Sequence, residues 1–573
     1  MKSTTFRHAV TYAIPFLLCV SGGARARSLA ELAQAHYQAD WAAGPVSATQ
    51  LGIHQGDSRL DDVSFAAIAA QTTRLHGEQA EIAALDTAGL SPPERDDRDV
   101  LAAAIGRELL ANERIQPFHH DPDSYISLAT NAVYSLIDRD YAPPADRLRA
   151  VIAREQAIPA MLALAETQLA GVPQVFLDIA REDLDGSFSF VAKDVPEAFA
   201  GVRDQALQNQ LAASTKVTLA AFTRYKAFLG GLKASGSFVL GPDVMRALLA
   251  ADLVDLPIDT VVAAGRAQLA KDKAAFIEIE RRLDKAHPAD SLVLVRHDHP
   301  PANKLIATAT DQLHGLQDFV VGHHIVTLPA MILPTVIETP PFQRALITAA
   351  MDWPGAFETS TRPGAQTSFY YITPPSSAFT PEQVEQALGD FNRPELEITT
   401  AHEAMPGHFV QGLTLRAHPE WSLIRKAAQS YATTEGWAHY SEQMMVDQGF
   451  GGGDLKIRLM QLQDALLRDC RLVDAFGMQA QGMSLADATS LMQTECFQSP
   501  MSAYKEARRG TEDPGYYSYT LGKLMILHLR DDMQRSQGAA FSLTRFHDGL
   551  LGAGLVPMTI IRRELTGHDA PML

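Results

Sequence analysis

From Ser28 to about Ile115, leucine and alanine recur every three or four residues, the interval that lines one face of a helix. The same interval returns over residues 145–170, 193–234, 257–286 and 420–448, then from Asp454 through Met478, from Ala486 to about Glu495 and from Tyr516 to Arg530. Two stretches depart from it toward strand. Ala330 to Leu333 is short and apolar, and Thr367 to Thr373 is aromatic and β-branched before Pro374-Pro375. Thr380-Pro381-Glu382-Gln383 starts a helix with a capping threonine, proline at the first position and glutamine three residues after the cap. Asn392-Arg393-Pro394 stops it. The expected fold is mainly α, a large two-lobed helical bundle around a cleft, with a small β-sheet or edge strand just upstream of residue 399.

Residues 1–26 read as a secretory signal, with Lys2 and Arg7 ahead of the apolar core Ala9 to Val20 and a small-x-small cleavage site at Ala24-Arg25-Ala26. Cys19 follows Leu18 where a lipoprotein signal calls for a small residue, which argues against lipid attachment. Downstream, no apolar run reaches the roughly 18 residues needed to span a bilayer. The expectation is an exported protein, most simply periplasmic, without stable membrane insertion. No Pro/Ser-rich spacer, charge block or internal repeat divides residues 27–573, so one catalytic-size domain is expected. The formal net charge is −18, and loss of the signal removes three further cations. Such a surface argues against nucleic acid and against anionic membrane as partners. Export permits Cys470 and Cys496 to pair, and sequence leaves the bridge open.

The densest chemistry lies in Thr399-Thr400-Ala401-His402-Glu403-Ala404-Met405-Pro406-Gly407-His408. Two imidazoles and a carboxylate within seven residues suit a Zn2+ site with a base beside it. The histidines sit at i and i+6, about 240° apart on an unbroken helix, so a local distortion at Pro406-Gly407 is expected to bring His408 back beside His402. Catalytic zinc takes three protein ligands and keeps a position open. Glu435 is the best third ligand: on a helix over 420–448 it shares one face with His439 and Glu442, at i, i+4 and i+7. His439 and Glu442 are then supporting groups, or plain helix surface. Taken alone, the His-Glu-x4-His stretch would equally serve as a helix end with Pro-Gly as its stop.

Other polar groups read as structural. Phe118-His119-His120-Asp121 is bracketed by prolines and reads as a turn, His297-Asp298-His299 as a loop, and His323-His324 as core or cap histidines. Asp464, Arg468, Asp469 and Arg471 read as an ion-paired surface.

His402-Glu403-Ala404-Met405-Pro406-Gly407-His408, then Glu435-Gly436-Trp437-Ala438, then Pro514-Gly515-Tyr516-Tyr517-Ser518-Tyr519-Thr520-Leu521-Gly522-Lys523 resemble, in order and spacing, the bacterial family catalogued as domain of unknown function 885. That family is thought to be related to the gluzincin peptidases, helical clefted enzymes typified by thimet oligopeptidase and angiotensin-converting enzyme. The resemblance implies His402, His408 and Glu435 as zinc ligands, Glu403 as catalytic acid/base and Tyr519 as donor to the oxyanion. The chain departs from the family pattern at His439, where leucine is expected. Substrate groups follow from the residues: Tyr370 and Tyr371 on an edge strand that could hold an extended peptide, and Lys523 or Arg508 for a substrate carboxylate. The expected activity is zinc-dependent amide hydrolysis on a peptide or peptide-like substrate. The alternatives are a zinc amidase on cell-wall peptides or acyl-amino acids, and a non-catalytic exported helical binding protein.

Overall fold

The computed structural model describes residues 27–340, 344 and 347–573, so the expected signal segment lies outside the described residues. The chain is mainly α-helical. Helix α1 (Leu29–Ala43) starts on a Ser28 capping box with Glu31, and α2 (Pro92–Leu110) starts on Ser91 with Glu94 in the same arrangement. The long helices α3 (Pro144–Gln168) and α4 (Gln205–Gly231) pack on one another and bury Leu148, Val151, Leu162, Phe222 and Tyr225 in one apolar core. A separate core gathers α1, α2, α5 (Ile258–Leu283), α6 (Leu305–Gly322) and the carboxy-terminal helices.

Around that second core stand the helices of the motif region. They are α7 (Arg393–Glu403), α8 (His408–Ala417), α9 (Tyr431–Asp447), α10 (Leu455–Ala480), α11 (Pro500–Glu512) and α12 (Ser518–Gln537). The helix expected over 420–448 is divided: Leu423–Ala427 is one short helix, and α9 begins anew where the Ser430 side chain accepts from the Thr433 amide. Helix α10 lies between α5, α7, α11 and α12, so its charged residues are covered. Asp464 and Arg468 are each 9% exposed, Arg471 7% and Asp469 0%, which overturns their reading as surface. Cys470 of α10 is disulfide-bonded to Cys496.

The sheet corrects two strand assignments. Ala330 to Leu333 is not a strand; β1 is Thr335–Glu338, just past Pro334. Strand β2, Ala349–Asp352, carried no alternation to reveal it and is half-buried throughout. Strand β3, Phe369–Ile372, is central rather than at an edge, parallel to β1 and antiparallel to β2 with Met351 opposite Tyr370. Tyr370 and Tyr371 are buried, Phe369 is half-buried, and of the two edge strands it is β2 that packs against α7 and α8.

Candidate metal centre

The two histidines stand on different helices. Instead of a bulge within one helix, α7 ends at Glu403, the Met405–Pro406 peptide is cis, and α8 starts at His408. His402 is thus the penultimate residue of one helix and His408 the first of the next, with rings 4.9 Å apart and nearly perpendicular. Gly407 is needed because its backbone lies against the preceding turn: a Cβ there would fall 1.7 Å from the His402 carbonyl oxygen. The Trp437 indole N–H donates to the Pro406 carbonyl at 2.9 Å and ties the turn to α9.

Glu435 on α9 completes the group. Its Oε2 lies 3.6 Å from His402 Nε2 and 3.4 Å from His408 Nε2, and one ligand atom from each residue falls within 4.8 Å of the others. That Oε2 is buried without a hydrogen-bond partner, an orphan that costs stability unless a cation or donor faces it. Two imidazole nitrogens and a carboxylate oxygen converging on such an atom fit the donor set of catalytic zinc.

The outer nitrogens fix the tautomers. His402 Nδ1 donates to Glu442 Oε1 at 2.6 Å, and the same carboxylate is held by Arg468 at 3.3 Å and by His439 Nδ1 at 3.2 Å. Gln411 spends its amide donors on the carbonyls of Thr433 and Thr434, so its Oε1 is left to accept from His408 Nδ1 at 3.0 Å. Both Nε2 atoms are thereby turned toward Glu435 with their lone pairs free for a metal.

Burial lowers the proton affinity of the His402 imidazole, but Glu435 and Glu442 outweigh it and raise its pKa to about 9; His408 is raised by Glu435 against the same burial. Burial raises the Glu435 carboxyl, yet both imidazoles hold it well below the carboxylate range. The buried carboxylates that favour positive charge on these rings would equally favour a divalent cation held between them. His439 is pushed down to about 3 by burial and by the Lys523 charge, so it is a neutral donor to Glu442 and not one of the converging ligands.

The remaining predicted residues divide. Glu403 is half-buried, with no hydrogen bond or ion pair among the described residues, and its charge is felt by His408. The Tyr519 ring stacks 6.3 Å from the His402 ring, and its hydroxyl lies in the field of Glu435. Helix α12 can come this close because it crosses α9 at paired glycines: a Cβ on Gly436 would sit 2.6 Å from Gly522 Cα, and one on Gly522 would sit 1.9 Å from the Ala432 carbonyl oxygen.

Tyr370 is fully buried and its hydroxyl meets Thr400 at 3.2 Å, so it braces α7; Tyr371 meets Tyr134 at 3.1 Å. Lys523 is fully buried near Asp272, and Arg508 pairs with Glu182 at 2.7 Å. None of these four is brought into the group around Glu435.

Residues 45–565 match the family described as "Bacterial protein of unknown function (DUF885)". The chain belongs to the DUF885 family. Its fold is shared with two solved structures. One, described as "a putative lipoprotein of unknown function" from Shewanella oneidensis, is 23% identical with a TM-score of 0.76, over 94% of this chain and 100% of that one. The other, "the putative lipoprotein from Colwellia psychrerythraea", is 20% identical with a TM-score of 0.79, over 94% and 98%. No curated protein matches the chain.

Beside the centre of this DUF885 chain opens a cavity of about 780 Å³, lined by Tyr37, Trp41, Trp353, Tyr431 and Thr434 among others. Trp353, next in sequence after β2, lies 6.2 Å ring-to-ring from His408. Sequence reasoning missed Gln411, Arg468 and Trp353. Gln411 carried a usable signal, three residues after His408 on the same helix; the others are joined to the site only by the topology.

Proposed function

We propose that this DUF885 chain is an exported zinc-dependent peptidase. The observation that carries the reading is the convergence of His402 Nε2, His408 Nε2 and the orphaned, buried Glu435 Oε2. The DUF885 resemblance, through the relation to gluzincin peptidases thought to hold for that family, implies the same three ligands.

Held by these three groups, zinc would supply Lewis acidity toward a scissile carbonyl and lower the pKa of a water. The Glu403 carboxylate, without a protein partner among the described residues, accepts a proton from that water at an Oε atom and delivers it to the leaving nitrogen. The Tyr519 hydroxyl donates to the carbonyl oxygen as negative charge builds on it. Glu442 and Gln411 keep the imidazoles aimed. A peptide is favoured over a phosphate ester or sugar because the half-buried β2, beside α7 and α8, offers main-chain groups to an extended chain.

Export is supported by the signal-like residues 1–26, the Cys470–Cys496 disulfide and the described lipoprotein character of both structural neighbours. Among the described residues no helix is long and apolar enough to cross a membrane. The neighbours' description weakens the argument from Leu18, so acylation at Cys19 stands beside cleavage after Ala26 as a mode of export.

Elemental analysis of the mature protein tests the reading. The expected result is about one zinc per chain, lost in His402→Ala and Glu435→Ala, and retained in Glu403→Gln with nearly all peptide turnover gone. Protein purified without chelator that holds no stoichiometric metal would sink it.

A further inference from the structure

Arg471 of α10 and Arg509 of α11 flank the ring of Tyr519, with guanidinium carbons 4.9 and 5.9 Å from its centroid. Each is anchored on one side. Arg471 Nε donates to Glu506 Oε2 at 2.8 Å. Arg509 Nη2 donates to Asp513 Oδ2 at 3.0 Å and lies 3.3 and 3.4 Å from the hydroxyls of Tyr431 and Tyr519. A guanidinium carries five N–H donors, and these anchors leave Nη1 and Nη2 of Arg471, with Nε and Nη1 of Arg509, without a partner among the described residues. None of those four nitrogens is sealed from solvent, although Arg471 as a whole is only 7% exposed. Two planar cations with unused donors, Arg471 buried and the Arg509 side chain 38% exposed, suit a carboxylate, which guanidinium groups bind in pairs of parallel hydrogen bonds.

The position of the arginine pair says which carboxylate. Tyr519 is the proposed donor to the scissile carbonyl oxygen, and Arg509 Nη2 is 3.4 Å from its hydroxyl. An anion on the two arginines therefore sits within about one or two residues' reach of the bond to be cut, at roughly 3.5 Å of chain per residue. Tyr431, whose ring packs 5.8 Å from that of Tyr519 and whose hydroxyl lies 3.3 Å from Arg509 Nη2, also lines the 780 Å³ cavity, so the arginine pair lies one side chain away from it.

We propose that Arg471 and Arg509 form the subsite for the substrate's terminal carboxylate, which makes the enzyme an exopeptidase acting from the carboxyl end of short peptides. The proposal rests on the peptidase reading above. In the reaction, water adds across the amide, the C–N bond breaks, the leaving nitrogen takes a proton, and the products are a shortened acid and a free carboxy-terminal fragment. The role expected of Arg508 and Lys523 thus passes to Arg509 and Arg471.

The test uses the zinc-loaded full mature chain with three probes: acetyl-Ala-Ala-Phe as free acid, the same peptide as its amide, and acetyl-Ala-Ala-Asp amide, whose only carboxylate is a side chain. Wild type should prefer the free acid by about 100-fold in kcat/KM, chiefly through KM, as for loss of a bidentate charged contact. Arg509→Gln and Arg471→Gln should bring that ratio close to one with zinc content and circular dichroism unchanged. Arg509→Lys should keep part of it. Equal cleavage of acid and amide by wild type, or a ratio that survives in both glutamine variants, overturns the proposal. Cleavage of the aspartyl amide as fast as the free acid overturns it too, by assigning the arginine pair to side chains. Calorimetric binding to Glu403→Gln protein separates the two readings: acid bound over amide, with the preference lost in the arginine variants, supports the subsite even where wild type cuts none of the probes, and that absence of turnover counts against the peptidase alone.

Discussion

His402 and Glu442 are joined by a 2.6 Å hydrogen bond from Nδ1 to Oε1, and the Glu442 side chain has no exposed surface. Burial disfavours the charged carboxylate, but Arg468 and His439 stabilise it and hold its pKa well below the ordinary range. The bond therefore fixes both the rotation of the imidazole and the nitrogen left for a ligand.

Glu442→Gln should keep the fold and lower zinc affinity by about 10- to 100-fold, the usual cost of losing an outer partner of a ligating histidine. Competition with a fluorescent chelator measures it. Unchanged affinity would reduce Glu442 to a packing role.

Gly522→Ala tests the crossing of α9 and α12. The added Cβ meets the Ala432 carbonyl oxygen at 1.9 Å, so the helices must part and carry Tyr519 away from His402. The expected cost is about 1–3 kcal/mol of stability, read by urea unfolding, with turnover reduced more than zinc content.

Removing the metal should lower the unfolding temperature as well as abolish turnover, because an ion bound only by the native state stabilises it by mass action. Chelator-treated protein followed by scanning calorimetry, with and without restored zinc, reads both. Identical transitions would mean that no cation is held by the native fold.

His36 offers a pH test away from the site. Its ring is 1% exposed, with Glu78 Oε2 at 2.8 Å and Glu108 Oε1 at 3.3 Å, and Asp40 nearby. Burial lowers its pKa, the two glutamates more than compensate, and the folded value is raised from 6.5 to about 9. A raised folded pKa gives stability that is complete below 6.5 and disappears as pH rises through about 9. The urea midpoint of wild type should fall over that window relative to His36→Gln, whose profile should be flatter there.

The helices were legible because their apolar interval is local; that His402, His408 and Glu435 come together was expected from the His-Glu-x4-His spacing only with the help of the family resemblance. The sheet was not. Pro334 displaced β1 beyond the apolar stretch that seemed to announce it, and β2 is half-buried throughout and shows no alternation. Arg468 and Arg471 looked like surface charges because their burial comes from helices distant in sequence, α5, α7 and α12, closing over α10. Arg508 and Arg509 are neighbours in sequence, yet one pairs with Glu182 and the other reaches Tyr519; only the placement of α11 distinguishes them.

Cys470 lies between the two arginines of α10 that support the centre, Arg468 and Arg471, and its bridge to Cys496 ties that helix to a segment 26 residues further on. Thiols in a reducing cytoplasm stay unpaired. On the proposed function, a chain awaiting export would carry the supports of the candidate centre on an unfastened helix, and oxidation outside would fasten them.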